Sequence, residues 1–268
     1  MARQKLDFEA LSEYDRDWVV AEYLLELHEH DPAARQKGVY LVAALCKIDP
    51  AMRMRVSQKL LQRWATELPK REAPAMPAEL LYGMVVFLKM CERTPVATVL
   101  LVCFAGLLRV SEALRLPRRD LIMGSDYVVM VLDRTKRGQN EKVVIKNLAV
   151  VTWLARYLRT FPTENHEAAF PVSYGTVSRW MKRAAEALGF GELNLTTHSL
   201  RRGGATQLLR LGVSYQDIAL FGRWASESSV RHYLREGEVM MTRASHSFSE
   251  EKWNIVARLG ACHDAVWH

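Results

Sequence analysis

Arg109 and Glu112 stand three residues apart behind the apolar run from Val96 to Leu108. On a helix that spacing puts both side chains on one face. A guanidinium behind so apolar a stretch must be paired or must serve an anion, because an isolated buried charge is too costly. A local Arg–Glu bridge and an anion site both satisfy that demand. His198 and Arg201 repeat the spacing within Thr197-His198-Ser199-Leu200-Arg201-Arg202-Gly203-Gly204. They fall in the first turn of a predicted helix, where free backbone N–H groups already favour an anion. There an arginine can fork onto two oxygens while an imidazole gives or takes a proton. A solvated basic turn is the plainer alternative. Trp224 and Tyr233 lie nine residues apart in the segment that follows. Taken alone, each reads as an aromatic of the core with its polar atom bonded. Lys136, in Arg134-Thr135-Lys136, reads locally as a solvated charge at the tip of a hairpin.

These groups belong to a chain whose pattern changes twice. Pro69, Pro74 and Pro77 crowd residues 68–77, which suits a semi-rigid linker between residues 1–67 and residues 78–268. Before the linker, Trp18, Leu24, Leu25 and Leu27 mark one helix and Val39 to Cys46 a second. A third is predicted to open at Asp49-Pro50, an N-cap with proline at the first helical position, and to reach about Trp64. After it, Pro77 to Cys91 and Pro95 to Leu114 read as long helices, each entered by a proline. The β-rich runs Tyr127–Leu132 and Lys142–Ile145 follow, joined by a basic tip. Helices are then expected over 148–159, about 176–188 before Gly189, and from a Thr197 cap to Leu211. Shorter ones are expected at 215–221, 226–235 and about 249–259. The fold class is therefore α+β, mostly α with a small β-hairpin or sheet, and a short helical domain comes first.

Composition narrows the partners. The 268 residues are 49% hydrophobic and 25% charged, with 14 Gly and 9 Pro, which excludes disordered and collagen-like chains. The apolar run at 96–108 is too short to span a bilayer, so no membrane partner is expected. Met1-Ala2-Arg3-Gln4-Lys5-Leu6-Asp7 lacks an apolar signal core. Cys46, Cys91, Cys103 and Cys262 show no CxxC spacing and read as reduced thiols of an intracellular protein. His263 and His268 are too weakly spaced to suggest zinc, and neither metal nor cofactor is expected. Residues 1–76 carry 12 basic and 12 acidic side chains, whereas residues 77–268 carry 25 and 18. The net charge of +7 thus belongs to the second region, and a basic domain without an amphipathic anchor points to a polyanion.

Taken in order, these segments resemble the tyrosine recombinase (phage integrase) family. Ala105-Gly106-Leu107-Leu108-Arg109-Val110-Ser111-Glu112 matches the first arginine box, and Lys136 the hairpin lysine. His198 and Arg201 match the H-x-x-R box, Trp224 the His/Trp position, and Tyr233 the nucleophile. Glu112 occupies the acidic position that supports the first arginine. The match covers about residues 78–240. Arg134-Thr135-Lys136 and the Trp224 to Tyr233 spacing are similar to the Cre branch, while His198-Ser-Leu-Arg-Arg-Gly-Gly-Ala-Thr resembles recombinases of eukaryotic mobile elements.

The resemblance implies a recombinase-like catalytic domain that integrates or recombines DNA through a 3′-phosphotyrosyl intermediate, without metal or ATP. It implies catalytic roles for Arg109, Lys136, His198, Arg201, Trp224 and Tyr233, and double-stranded DNA as partner. It further implies a homo-oligomer, a tetramer on paired sites, with the last helix packed onto a neighbouring subunit. The compartment would be cytoplasm or nucleus according to the host. The region before the linker is shorter than the family's usual core-binding domain, and no separate arm-binding domain is expected. Relaxation of DNA by type IB topoisomerase chemistry, and a domesticated non-catalytic DNA-binding protein, are the alternatives.

Overall fold

The computed structural model of the chain describes residues 7–67, 73–134, 139–224, 227, 230–231, 234 and 248–261. The chain divides into two compact units, Met1–Glu72 and Ala73–His268.

In the first unit α1 (Glu13–His30), α2 (Arg35–Ile48) and α3 (Arg55–Glu67) close over Val20, Leu24, Val42, Met54, Leu61 and Trp64. Trp18 and Leu25, which the sequence pattern groups with Leu24, face solvent. Asp49-Pro50 does not open the third helix. Asp49 caps the end of α2, its Oδ1 accepts from the Ala51 N–H at 3.1 Å, and non-helical chain continues to Met54. Met52 and Met54, two residues apart, both enter the core, which extended backbone permits and a helix does not. The cap of α3 comes from another helix. Asp17 of α1 accepts from the backbone N–H of Val56 at 2.7 Å and of Ser57 at 2.9 Å, and from the Ser57 hydroxyl at 2.6 Å.

The second unit is built on α4 (Ala78–Met90) and α5 (Thr94–Ala105), with Pro77 and Pro95 at their starts. The predicted helix from Pro95 to Leu114 is in fact two. α5 stops at Ala105, Leu107 takes a left-handed φ of +48°, and α6 (Val110–Arg115) begins after Arg109. Leu107 and Leu108 are fully buried, so the apolar run passes through the break and hides it from periodicity.

Next come β1 (Leu121–Met123), β2 (Val128–Arg134) and β3 (Gln139–Ile145), antiparallel in the order β1-β2-β3. The hairpin is the expected one; β1, at three residues, is too short to carry a period. Val128, Met130, Leu132, Val143 and Ile145 press one face of the sheet into the core. The helices α7 (Leu148–Thr160), α8 (Tyr174–Ala187), α9 (Thr197–Arg210) and α10 (Tyr215–Phe221) follow close to their predicted bounds. The cap of α9 is Thr196 rather than Thr197. Glu227, Val230, Arg231 and Leu234 are helical, and Val230 and Leu234 pack with Leu107, Ala205 and Ile218. The last helix, α11 (Glu250–Ala261), has a partner within its own chain, which its sequence pattern did not reveal. Its Val256 is buried against Gly83 of α4 and Trp253 lies 4.7 Å from the ring of Phe190, while Ile255 is exposed.

The close approach of α9 to its neighbours depends on two glycines. A Cβ on Gly203 would stand 2.2 Å from the Met76 carbonyl oxygen, and one on Gly204 would stand 2.0 Å from that of Phe104. Backbone on two sides leaves room for hydrogen only. Helix propensity alone would favour Gly→Ala by about 1 kcal/mol, but here overpacking of about 1–3 kcal/mol opposes it. Gly204→Ala is therefore expected to lower the urea midpoint. Gly175→Ala, whose Cβ would meet only the Ser173 hydroxyl at 3.9 Å, should leave it unchanged or raise it.

Candidate active site

Three segments meet at the Glu112 carboxylate, and a fourth joins them through Arg223. The break after α5 makes Arg109 the N-cap of α6 and sets Glu112 in its first turn. The Arg109 backbone N–H donates to Glu112 Oε2 at 2.8 Å, and its Nη1 donates to Oε1 at 2.6 Å. From the turn after α10, Arg223 donates through Nη2 to Glu112 Oε2 at 2.8 Å. Its Nε lies 3.3 Å from Glu141 Oε2 of β3. From α9, Arg201 donates through Nη1 to the Leu107 carbonyl at 3.0 Å and through Nη2 to the Gly222 carbonyl. Its Nη1 is 3.9 Å from Glu112 Oε2, and its guanidinium lies 4.4 Å from the centre of the Trp224 ring.

Exposure is graded across the group. The side chains of Arg201 and Glu112 are 5% and 7% exposed, whereas Arg109 is 30% exposed. His198 is exposed on the first turn of α9, beside Thr197, whose hydroxyl bonds that of Tyr174 at 2.8 Å. The structure thus brings Arg109, Glu112, Arg201 and Trp224 together, with His198 one turn before Arg201 on the same helix. Lys136 and Tyr233 lie outside the described residues. Among the described residues no group of three His, Cys, Asp or Glu side chains could hold a metal ion, and no helix is long and apolar enough to cross a membrane.

Arg223 and Glu141 are members of the cluster that sequence reasoning passed over. Glu141 carried a signal. It shares the buried face of β3 with Val143 and Ile145 at period two, and a carboxylate among them needs a cation. Arg223 carried none, because its φ of +58° is set by the fold and its partners Glu112 and Glu141 are distant in the chain.

Burial opposes the charge on Glu112. The backbone hydrogen bond from Arg109 and the Arg223 and Arg109 guanidinium groups outweigh it and hold the carboxyl below the usual range. Burial likewise pulls Arg223 down, against Glu112 and Glu141, and a guanidinium stays protonated through any such shift. A depressed folded pKa contributes stability that is complete above the unfolded glutamate value of about 4.3 and is lost as pH falls through the folded value. Glu112→Gln should therefore cost about 3–5 kcal/mol in urea unfolding near neutral pH. The gap from wild type should shrink below about pH 4.3. A gap independent of pH would show that packing alone separates the two proteins.

Residues 81–238, more than half of the chain, match the phage integrase family. A protein of Sinorhizobium fredii (strain NBRC 101917 / NGR234), provisionally named integrase/recombinase y4qK, is 28% identical over 144 residues, which are 51% of this chain and 45% of that protein. The chain thus matches about half the length of this curated relative. Among solved structures, XerH site-specific recombinase bound to palindromic difH substrate superposes with a TM-score of 0.57 at 14% identity, covering 88% of this chain and 72% of that one. A λ integrase dimer bound to a COC′ core site gives 0.54 at 15% identity, covering 87% and 82%. XerA recombinase gives 0.50 at 17%, covering 88% and 93%. At these identities the superpositions establish the fold, mostly helical with a small antiparallel sheet, and the match over residues 81–238 establishes the rest: the chain belongs to the phage integrase family.

Proposed function

We propose that this chain is a site-specific DNA recombinase or integrase, which cuts and rejoins strands through a 3′-phosphotyrosyl intermediate. The observation that carries this reading is the gathering of Arg109 and Arg201 about Glu112, from helices far apart in the chain. A phosphodiester repels nucleophiles and has a poor leaving group, so its cleavage calls for fixed cations where charge develops. Arg109, the more exposed of the two, meets a non-bridging oxygen of the scissile phosphate. Arg201 supports it from behind, its plane held by two carbonyls and the Trp224 indole, and completes the clamp as DNA enters.

Tyr233 supplies the nucleophile. Its oxygen forms the new bond to phosphorus while the hydroxyl proton passes toward His198. The bond from phosphorus to the 5′-oxygen breaks, and Lys136 gives that oxygen a proton. The ester to tyrosine retains the bond energy, so a 5′-hydroxyl of another strand reverses the step without ATP. The guanidinium groups do the electrostatic work, and the mechanism has no role for a metal. Residues 1–67 serve as a short helical DNA-binding domain, joined through 68–77 to the catalytic domain at 78–268. On paired sites the protein assembles as a homo-oligomer, a tetramer, wherever its host keeps DNA, in cytoplasm or nucleus.

Two experiments test the assignment. Tyr233→Phe should bind nicked suicide DNA yet form no covalent adduct on a denaturing gel; an adduct in that variant would move the nucleophile elsewhere, Tyr215 being the next candidate. Lys136→Ala should slow cleavage of ordinary DNA by about 10²–10⁴-fold. The same variant should cut DNA carrying sulfur at the bridging 5′ position almost as fast as wild type, because a thiolate leaves without a proton. Arg201→Ala should gain nothing from sulfur. Equal rescue of both variants, or of neither, would remove Lys136 as the acid.

A further inference from the structure

We infer that Arg223 and Glu141 are positioning residues for cleavage: their ion pair ties strand β3 to Glu112, and so sets the hairpin against the phosphate clamp. The inference rests on the reading of the hairpin as the source of the leaving-group proton.

The strands β2 and β3 are bonded to one another from Val128↔Ile145 to Arg134↔Gln139, so their ladder makes them a ribbon. Core packing holds this ribbon as far as Leu132, the cross-strand partner of Glu141. At that register the Arg223 ion pairs add a polar tie to α6. One guanidinium, 8% exposed, meets Glu112 at 2.8 Å and Glu141 at 3.3 Å. Glu112 simultaneously holds Arg109 at 2.6 Å. A chain of three ion pairs therefore runs from the partly exposed cation Arg109 to the hairpin.

Two features show that this position is built at a cost. Arg223 keeps a left-handed backbone, φ +58°, that disfavours any side chain, and the residue there is not glycine. Glu141 keeps a carboxylate on the strand face it shares with the buried Val143 and Ile145, where an apolar residue would continue the pattern. An arginine serving only as filler needs neither. Glu141 stands two residues into β3 and five residues along the chain from Lys136. In the sequence Lys136 falls between β2 and β3, and acid catalysis is sensitive to the distance between the proton donor and the 5′-oxygen.

The test uses the full chain on suicide DNA with oxygen or sulfur at the bridging 5′ position. Glu141→Gln keeps the shape and removes the charge; Glu141→Asp keeps the charge and shortens the reach. Lys136→Ala runs beside them. The inference expects both Glu141 variants to bind DNA as wild type does and to cut the oxygen substrate at least about tenfold more slowly. On the sulfur substrate they should come within a few-fold of wild type. A variant weakened only in folding would be slow on both substrates. If Lys136→Ala is rescued by sulfur while the Glu141 variants are equally slow on both, or fast on both, the tie has no part in catalysis and the inference fails alone. If Lys136→Ala is itself not rescued, the reading of the hairpin falls and takes the inference with it.

Discussion

A carboxylate enclosed to 7% exposure must find donors for both oxygens, and in the second unit Glu112 finds them on Arg109 and Arg223, with the Arg201 guanidinium 3.9 Å away. Removal from water penalises the ionised form, and only the guanidinium groups and the Arg109 backbone N–H keep it charged. Much of the local architecture follows from that need. α5 must end at Ala105 so that α6 can start beside the site with Arg109 as its cap. α9 must come close enough for Arg201 to reach Leu107, and Gly203 and Gly204 make that approach possible. The turn after α10 must accept a left-handed arginine so that its side chain points back to Glu112.

The charge count of the cluster leaves a surplus of the sign that the proposed phosphate site calls for. Arg109, Arg201 and Arg223 face Glu112 and Glu141, which leaves one positive charge in excess. The two inner arginines are held almost entirely within the protein, and the outer one is 30% exposed. A preorganised cation of this kind does not have to be desolvated or turned at the moment of reaction, and that is where enzymes gain most from electrostatics. The carboxylates hold Arg223, the Leu107 and Gly222 carbonyls hold Arg201, and the outermost guanidinium lies toward solvent.

The first unit solves a similar problem with a different group. Asp17 is buried and ionisable, and the first backbone N–H groups of α3 satisfy it. One residue thereby caps a helix and binds α1 to α3, which gives a small domain a polar lock beside a core of few large side chains.

Short-range signals were legible in the sequence. The prolines at the starts of α4 and α5, the alternation of β2 and β3, the Gly189 stop and the box residues Arg109, Glu112, His198, Arg201 and Trp224 all depend on neighbours within a few positions. So did the family, because its boxes are local patterns in a set order. The break at Leu107, the cap from Asp17, the burial of α11 against α4 and the pairing of Arg223 with Glu112 and Glu141 were decided only in three dimensions. Each is a bargain between residues distant in the chain: a left-handed leucine or arginine is locally unfavourable, and a buried carboxylate more so, until the partner that compensates for it is brought alongside by the fold.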